Sequence, residues 1–307
     1  MIIRTFVANS LHRAAGFVLG FAALGLVFTS FAPVEARAET PTPLMWVVRD
    51  ADSTVYLFGS IHLMKPGTEW QTPKVKDAFA KSDTLWLELT DMDDQAKMMG
   101  LVRQYGFDVS RKVTDGLTPE EIAKLESILT SKGMALQSVM PMRKWMLSLV
   151  LLQLESARLG YDPMTGVDLT LLRLARERQM PISGFETAED QMKMLAAGSE
   201  EEDLVGLRQM LSEVGQADNT LDRLFNAWKR GDEAGLNAEM NKFDAENDPA
   251  LYQRLLVDRN AKWVPQIEQI LAGKGTVFVA VGGGHLVGKD SVIAMLRARG
   301  ITAEKVN

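Results

Sequence analysis

Short β-rich runs and long stretches of helical periodicity alternate along the chain. Leu44-Met-Trp-Val-Val48 and Thr54-Val-Tyr-Leu-Phe58, separated by the polar residues Asp50 to Ser53, predict a strand, a turn and a second strand. Pro73 to Lys81 has the spacing of a short amphipathic helix with Pro in its first turn, and Thr84-Leu-Trp-Leu-Glu-Leu89 reads as the next strand. From Asp91 to Met180 apolar residues recur at helical intervals, and Thr118 followed by Pro119 marks a capped helix start. The last helix of that region runs from Gly166 to Arg178, followed by a short strand, Pro181-Ile-Ser-Gly-Phe185. Ser199 to Asp258 is again helical and opens with Ser199 and Glu202 at capping-box spacing. Arg259 to Ala272 forms another helix, stopped at Gly273-Lys-Gly275. Then follow the strand Thr276-Val-Phe-Val-Ala-Val281, a helix from Gly288 to Arg299 and a terminal strand from Ile301 to Val306.

Strands at both ends with helical material between them predict one α/β (α+β) domain over residues 39–307. It has a mixed central sheet holding the N-terminal hairpin and the C-terminal strand, flanking helices, and helical insertions at about 91–160 and 199–258. Residues 1–38 read as a leader outside this fold: Arg4, His12 and Arg13 make a positive start, Ala14 to Ala32 an apolar run, and Ala36-Arg37-Ala38 a cleavage site. If the leader is not cleaved, the run is long enough to anchor the protein in a membrane, and either way the body is exported. No later segment approaches a membrane span.

Composition narrows the chemistry. The 307 residues contain no Cys, which excludes disulfide scaffolds, thiol nucleophiles, Cys-ligated zinc and iron–sulfur clusters. The formal charge of -6 argues against a nucleic-acid partner, and an anionic, thiol-free exported body suits a bacterial periplasm. Met140, Met142 and Met146 fall at near-helical spacing and read as core filling. Gly283-Gly-His-Leu-Val-Gly-Lys289 resembles a phosphate loop, but Asp290 stands where the Mg²⁺-binding hydroxyl belongs, which argues against nucleotide binding. There is no Gly-x-Ser-x-Gly elbow and no His-Glu-x-x-His helix.

Only His62 and His285 follow the leader, and both stand three residues after a glycine that ends a β-rich run: Gly59-Ser-Ile-His62 and Gly282-Gly-Gly-His285. Gly59 and Gly282 are expected to let the backbone bend at positive φ and approach a ligand, with each His at a carboxyl edge of the sheet. A structural imidazole in a turn is the alternative for either one. Glu88 lies within an apolar strand, where a carboxylate must be paired, metal-bound or turned outward. Two imidazoles and a carboxylate suit a divalent ion with open positions for water. Glu186 and Gln191 follow the short strand as candidate supporting groups, Glu186 also as a general base, against a helix-start role for both. Arg259 and Asn260 open a helix, where Arg259 can bind a substrate carboxylate or oxyanion and Asn260 can cap. Asp168 reads as an acid favoured by its helix N-terminus, or as a group facing the site.

Leu44-Met-Trp-Val-Val-Arg-Asp, Leu57-Phe-Gly-Ser-Ile-His-Leu, Leu85-Trp-Leu-Glu-Leu, Gly184-Phe-Glu-Thr-Ala-Glu-Asp-Gln191, Arg259-Asn260 with Trp263, and Val279-Ala-Val-Gly-Gly-Gly-His-Leu-Val-Gly288 together resemble the TraB/GumN family, in order from about 44 to 306. That family includes the Tiki proteins, metal-dependent proteases with paired Gly-x-x-His motifs and a glutamate, and is more distantly similar to erythromycin-esterase-like and haem-binding ChaN-like proteins. The resemblance implies His62, Glu88 and His285 as site residues and raises Arg259, Asn260 and Glu186 as substrate-binding groups. The resulting expectation is an exported divalent-metal-dependent hydrolase, using Mn, Co, Zn or Fe, that acts on a peptide or small-molecule ligand. The alternatives are a periplasmic haem, metal or small-ligand binding protein, and a non-catalytic envelope factor associated with polysaccharide.

Overall fold

The computed structural model describes residues 41–91, 93–216, 220–241 and 248–306, so the leader-like residues 1–38 lie outside the described residues. Along the chain, β1 (Met45–Arg49) and β2 (Ser53–Ser60) precede α1 (Pro73–Lys81) and β3 (Thr84–Leu87). Helices α2 (Gln95–Tyr105), α3 (Pro119–Ser131), α4 (Leu136–Val139), α5 (Lys144–Arg158) and α6 (Val167–Glu177) lead to β4 (Ile182–Gly184). Helices α7 (Ala188–Leu195), α8 (Glu200–Glu213), α9 (Thr220–Arg230), α10 (Glu233–Met240) and α11 (Pro249–Tyr252) follow. A π-helical segment, Gln253–Val257, then runs into α12 (Asp258–Leu271), β5 (Gly275–Gly282), α13 (Val292–Ala298) and β6 (Glu304–Lys305).

Among the described residues six strands form one mixed sheet in the order β4-β3-β5-β2-β1-β6. Strands β4, β3, β5 and β2 are parallel, so their carboxyl ends share one edge, and β1 runs antiparallel to β2 and β6. The period-two pattern splits β5 between the faces. Val277, Val279 and Val281 pack with Trp263, Val264 and Ile267 of α12 on one side, and Phe278 and Ala280 with Phe79 of α1 and Leu171 of α6 on the other. A third cluster sits among the helices, where Leu125, Leu147, Leu151 and Leu207 are fully buried and Met142 and Met146 fill space as their spacing predicts. Thr118 with Glu121 and Ser199 with Glu202 form the reciprocal caps that open α3 and α8.

Three boundaries differ from the sequence pattern. β3 ends at Leu87, so Glu88 stands just beyond the strand, its carboxylate turned onto the backbone N–H of Gly282 at 2.7 Å. The last helix starts only at Val292, because the Ser291 hydroxyl caps it by accepting from the Ala294 N–H. The terminal strand shrinks to Glu304–Lys305, since the Ile301 N–H is taken by the Leu296 carbonyl at the helix end. Among the described residues no helix is long and apolar enough to cross a membrane.

Candidate functional site

The parallel strand ends deliver most of the chemistry. His62 follows β2, Glu88 follows β3, Glu186 follows β4 and His285 follows β5, which is where open α/β sheets bind their ligands. Helix α12 adds Arg259, Asn260 and Trp263, α6 adds Asp168, and α7 adds Gln191. Neither Gly59 nor Gly282 adopts the positive φ expected of it; Gly59 is ordinary strand, and Gly282 has φ -48°. What requires glycine is space. A Cβ at Gly59 would lie 3.2 Å from Gly283 Cα, and one at Gly282 would lie 3.3 Å from Glu88 Oε1, 3.6 Å from His285 Cδ2 and 3.8 Å from His62 Nε2. Glu88 Oε1, the His285 ring and His62 Nε2 therefore each lie near Gly282.

Glu88 and Arg259 form the buried centre. Arg259 Nη2 donates to Glu88 Oε2 at 2.5 Å, and its Nε donates to both oxygens of Glu186 at 3.0 Å. Gln191 Nε2 bridges the two carboxylates at 3.3 Å to each, and Trp263 Nε1 donates to Glu186 at 3.0 Å beneath the guanidinium. Burial alone would push the Glu88 pKa up, but the Arg259 charge, with the neighbouring histidines and the Gly282 N–H behind it, prevails and holds it well below the usual carboxylate range. Glu88 is therefore ionised, and Arg259 holds two protein carboxylates.

His285 is buried and neutral. Asn260 is interior to the helix rather than its cap; its Nδ2 donates to the Asp290 carbonyl at 2.8 Å, which turns its Oδ1 toward His285 Nδ1 at 2.7 Å. That contact makes Nδ1 the protonated nitrogen and leaves Nε2 as an acceptor, 3.0 Å from Arg259 Nη1 and 3.8 Å from Glu88 Oε1. Desolvation, with Arg259 adding to it, lowers the ring to about 3.

His62 has the opposite character. Its Nδ1 lies 2.8 Å from Asp168 Oδ2, while Ser60 Oγ donates to Asp168 Oδ1 at 2.7 Å. The Asp168 carboxylate raises His62 to about 9, so the ring is cationic at neutral pH; it is 64% exposed, and water screens part of that pull. Gly166 keeps the loop in place, because a Cβ there would come within 2.3 Å of the His62 carbonyl oxygen. Asp168 was legible as a helix-start acid or as a group facing the site, and it does face the site, on His62. The signal for its second role is its position two residues after a glycine at the end of a long helical region, which says nothing about His62 until the loops meet.

The side chains include metal-ligand types, but a divalent ion would need Arg259 moved off His285 Nε2 and the His62 ring deprotonated. Both histidines have Nδ1 tied to an oxygen acceptor, the arrangement that orients metal-binding imidazoles; His285 Nε2 lies 3.8 Å from Glu88 Oε1, and His62 Nε2 lies 3.8 Å from where a Gly282 Cβ would stand. In the arrangement seen, Arg259 fills His285 Nε2, and no three His, Asp or Glu side chains among the described residues are gathered about one point. For Glu88, His62 and His285 to share an ion, Arg259 Nη1 must leave His285, while Nη2 and Nε keep their carboxylates.

A protein of Treponema pallidum described as uncharacterized is 22% identical over 278 residues, covering 83% of this chain and 80% of that protein. The uncharacterized protein YbaP of Escherichia coli is 26% identical over 252 residues, covering 79% and 87%, and YbaP of Shigella flexneri matches to the same extent. No solved structure matches the chain. The profile of the TraB/PrgY/gumN family runs across residues 44–305, from the first strand through both Gly-x-x-His turns to the last strand, and the chain belongs to that family.

Proposed function

We propose that this protein is a divalent-metal-dependent hydrolase, acting on peptides, with His62, Glu88 and His285 as the residues that hold the ion. The observation that carries the reading is the paired hold on the two imidazoles: Asp168 and Asn260 each fix an Nδ1, in a site that also holds the ionised Glu88. An ion held there supplies Lewis acidity toward a carbonyl and makes bound water a stronger acid. Asp168 and Ser60 orient His62 at the exposed mouth, and for Nε2 to hold the ion the ring must give up the proton that Asp168 favours. Arg259 keeps Glu88 ionised, and Trp263 and Gln191 keep Glu186 turned onto Arg259, so the negative charge of the site is fixed before substrate arrives. The leader-like residues 1–38 support export to the periplasm as the setting. Haem carriage ranks below hydrolysis because the histidine pair surrounds a buried ion pair rather than an apolar slot.

A second reading rests on one contact. Arg259 Nη1 stands 3.0 Å from His285 Nε2, so the guanidinium can be the permanent cation of the site, with His62 moving the proton. Elemental analysis of protein purified without chelator and dialysed, beside the His62→Ala/His285→Ala variant, decides between them. Near-stoichiometric Mn, Co, Zn or Fe in the first, absent from the second, together with peptide cleavage abolished by chelator, is the expected result. Equal trace metal in both, even after added divalent ions, overturns the metal-dependent reading; chelator-resistant cleavage that still needs His62 establishes the second.

A further inference from the structure

Two adjoining cavities of about 670 and 370 Å³ run along α6 and share Trp70 and Glu177 in their walls. Met64, two residues after His62, and Leu169, next to Asp168, line the larger one. From Leu169 to Glu177, which lines both cavities, the helix rises about 12 Å, the length of three or four residues of extended peptide. The wall is mixed: buried Trp70 and the partly buried Leu169 and Leu174 alternate with charged side chains.

The charge on this groove is opposite to that of the protein. Lys65, Arg173 and Arg176 line the first cavity, and Lys76 and Arg178 the second. Asp93 and Glu177 are the acids, so five bases face two acids on a chain whose formal charge is -6. Lys65 is paired with Asp222, Arg176 with Asp93, and Arg178 donates to the carbonyls that end α1. Arg173 and Lys76 are exposed and have no carboxylate partner among the described residues.

We propose that this groove binds an extended acidic peptide, with apolar side chains seated against Trp70 and Leu174 and carboxylates on Arg173 and Lys76, and that it leads the chain to His62. This rests on the peptide-hydrolase reading for its purpose, though not for its detection. An isolated cationic patch would attract any polyanion; what selects a peptide is the alternation of apolar wall and unpaired base over a length matched to extended backbone.

The test measures binding without turnover. A fluorescein-labelled nonapeptide of alternating Glu and Leu, and its Lys–Leu counterpart, are titrated by anisotropy against the full protein at low and at moderate salt. The acidic peptide is expected to bind at least tenfold more tightly than the basic one, with the difference shrinking as salt rises. Arg173→Glu should weaken it at least fivefold. Thr170→Trp, which fills the first cavity without changing charge, should do the same, with circular dichroism and melting confirming that both variants fold. Equal binding of the two peptides, no binding of the acidic one, affinity unmoved by Thr170→Trp, or displacement by oligothymidylate as effective as by unlabelled peptide would each overturn the groove. Acidic-peptide binding that survives in His62→Ala, in a protein that cleaves nothing, upholds the groove and sinks the hydrolase. Cleavage that is indifferent to peptide charge and to Arg173→Glu does the reverse.

Discussion

Arg259→Met tests whether the centre of the site is held by one guanidinium. The side chains of Arg259, Glu88 and Glu186 are only 10%, 7% and 12% exposed, and the substitution keeps length while removing the charge. Glu88 would keep the Gly282 N–H and Gln191, and Glu186 would keep Trp263 and Gln191, leaving two buried carboxylates side by side with no cation between them. Removing one partner of a buried pair costs about 3–5 kcal/mol, because the remaining charge stays buried and uncompensated. For a domain of this size that lowers Tm by roughly 6–20 °C.

The pH dependence identifies the cause. With Arg259 present, the Glu88 pKa is held low, so its contribution to stability is present above the pKa of an unfolded glutamate and fades only in strong acid. Without Arg259, burial raises the pKa above that value, the folded state takes up a proton that the unfolded state lacks, and the deficit shrinks as pH falls from 7.5 toward 5. Urea unfolding followed by the fluorescence of the six Trp, at both pH values, measures this directly. Adding Glu88→Gln to Arg259→Met should cost less than the two single losses combined. A loss below about 1 kcal/mol, or an equal loss at both pH values, would refute the assignment of Arg259 as the charge that keeps Glu88 ionised.

Three further outcomes follow from particular contacts. Asp203, buried with Oδ2 unbonded and Arg143 3.7 Å away, is raised by desolvation to about 6, so its contribution is full below the unfolded value near ~3.9 and is lost as pH rises through 6. Asp203→Asn should therefore be more favourable at pH 7.5 than at pH 4 by up to about 3 kcal/mol, and a pH-independent effect in urea titrations would contradict this. Asp168→Asn should return His62 from about 9 toward the ordinary value near ~6.5, read by the imidazole proton shifts in NMR, with no change at His285. Gly166→Ala should displace the His62 loop, since its Cβ meets the His62 carbonyl oxygen at 2.3 Å; a Tm unchanged within about 1 °C would show that the loop yields freely.

Much of this was legible in the sequence because it rests on local rules. Period-two runs ending in glycine located the parallel strands, and the Ser199 and Thr118 caps placed two helix starts correctly. The partners of Asp168 and Asn260 were not legible, because each is distant in sequence: His62 lies 106 residues from Asp168, and His285 lies 25 residues from Asn260. Arg259 shows the same limit from the other side. Its charge and its helix could be read, but a guanidinium facing two glutamates does different work from one facing solvent, and only packing decides which.

The two Gly-x-x-His turns look equivalent as strings, yet the sheet makes them unlike. β2 and β5 pair in parallel with Gly59 opposite Val281 and Ser60 opposite Gly282, so the two motifs are out of step by one residue. In β5 the chain turns at once into the 3₁₀ segment Gly283–Leu286, which folds His285 back against Trp263 with ring centroids 4.4 Å apart and buries it beside Arg259. In β2 the chain continues outward, Ser60 stays on the inner side as a donor to Asp168, and His62 emerges at the mouth. One imidazole is thereby kept neutral and the other cationic within reach of the same carboxylate. Groups whose environments drive their pKa values apart are suited to different roles within one site. A one-residue slip of β2 against β5 would bring the two motifs into step and erase that difference, so the register of the central strand pair is as much part of the site as the histidines.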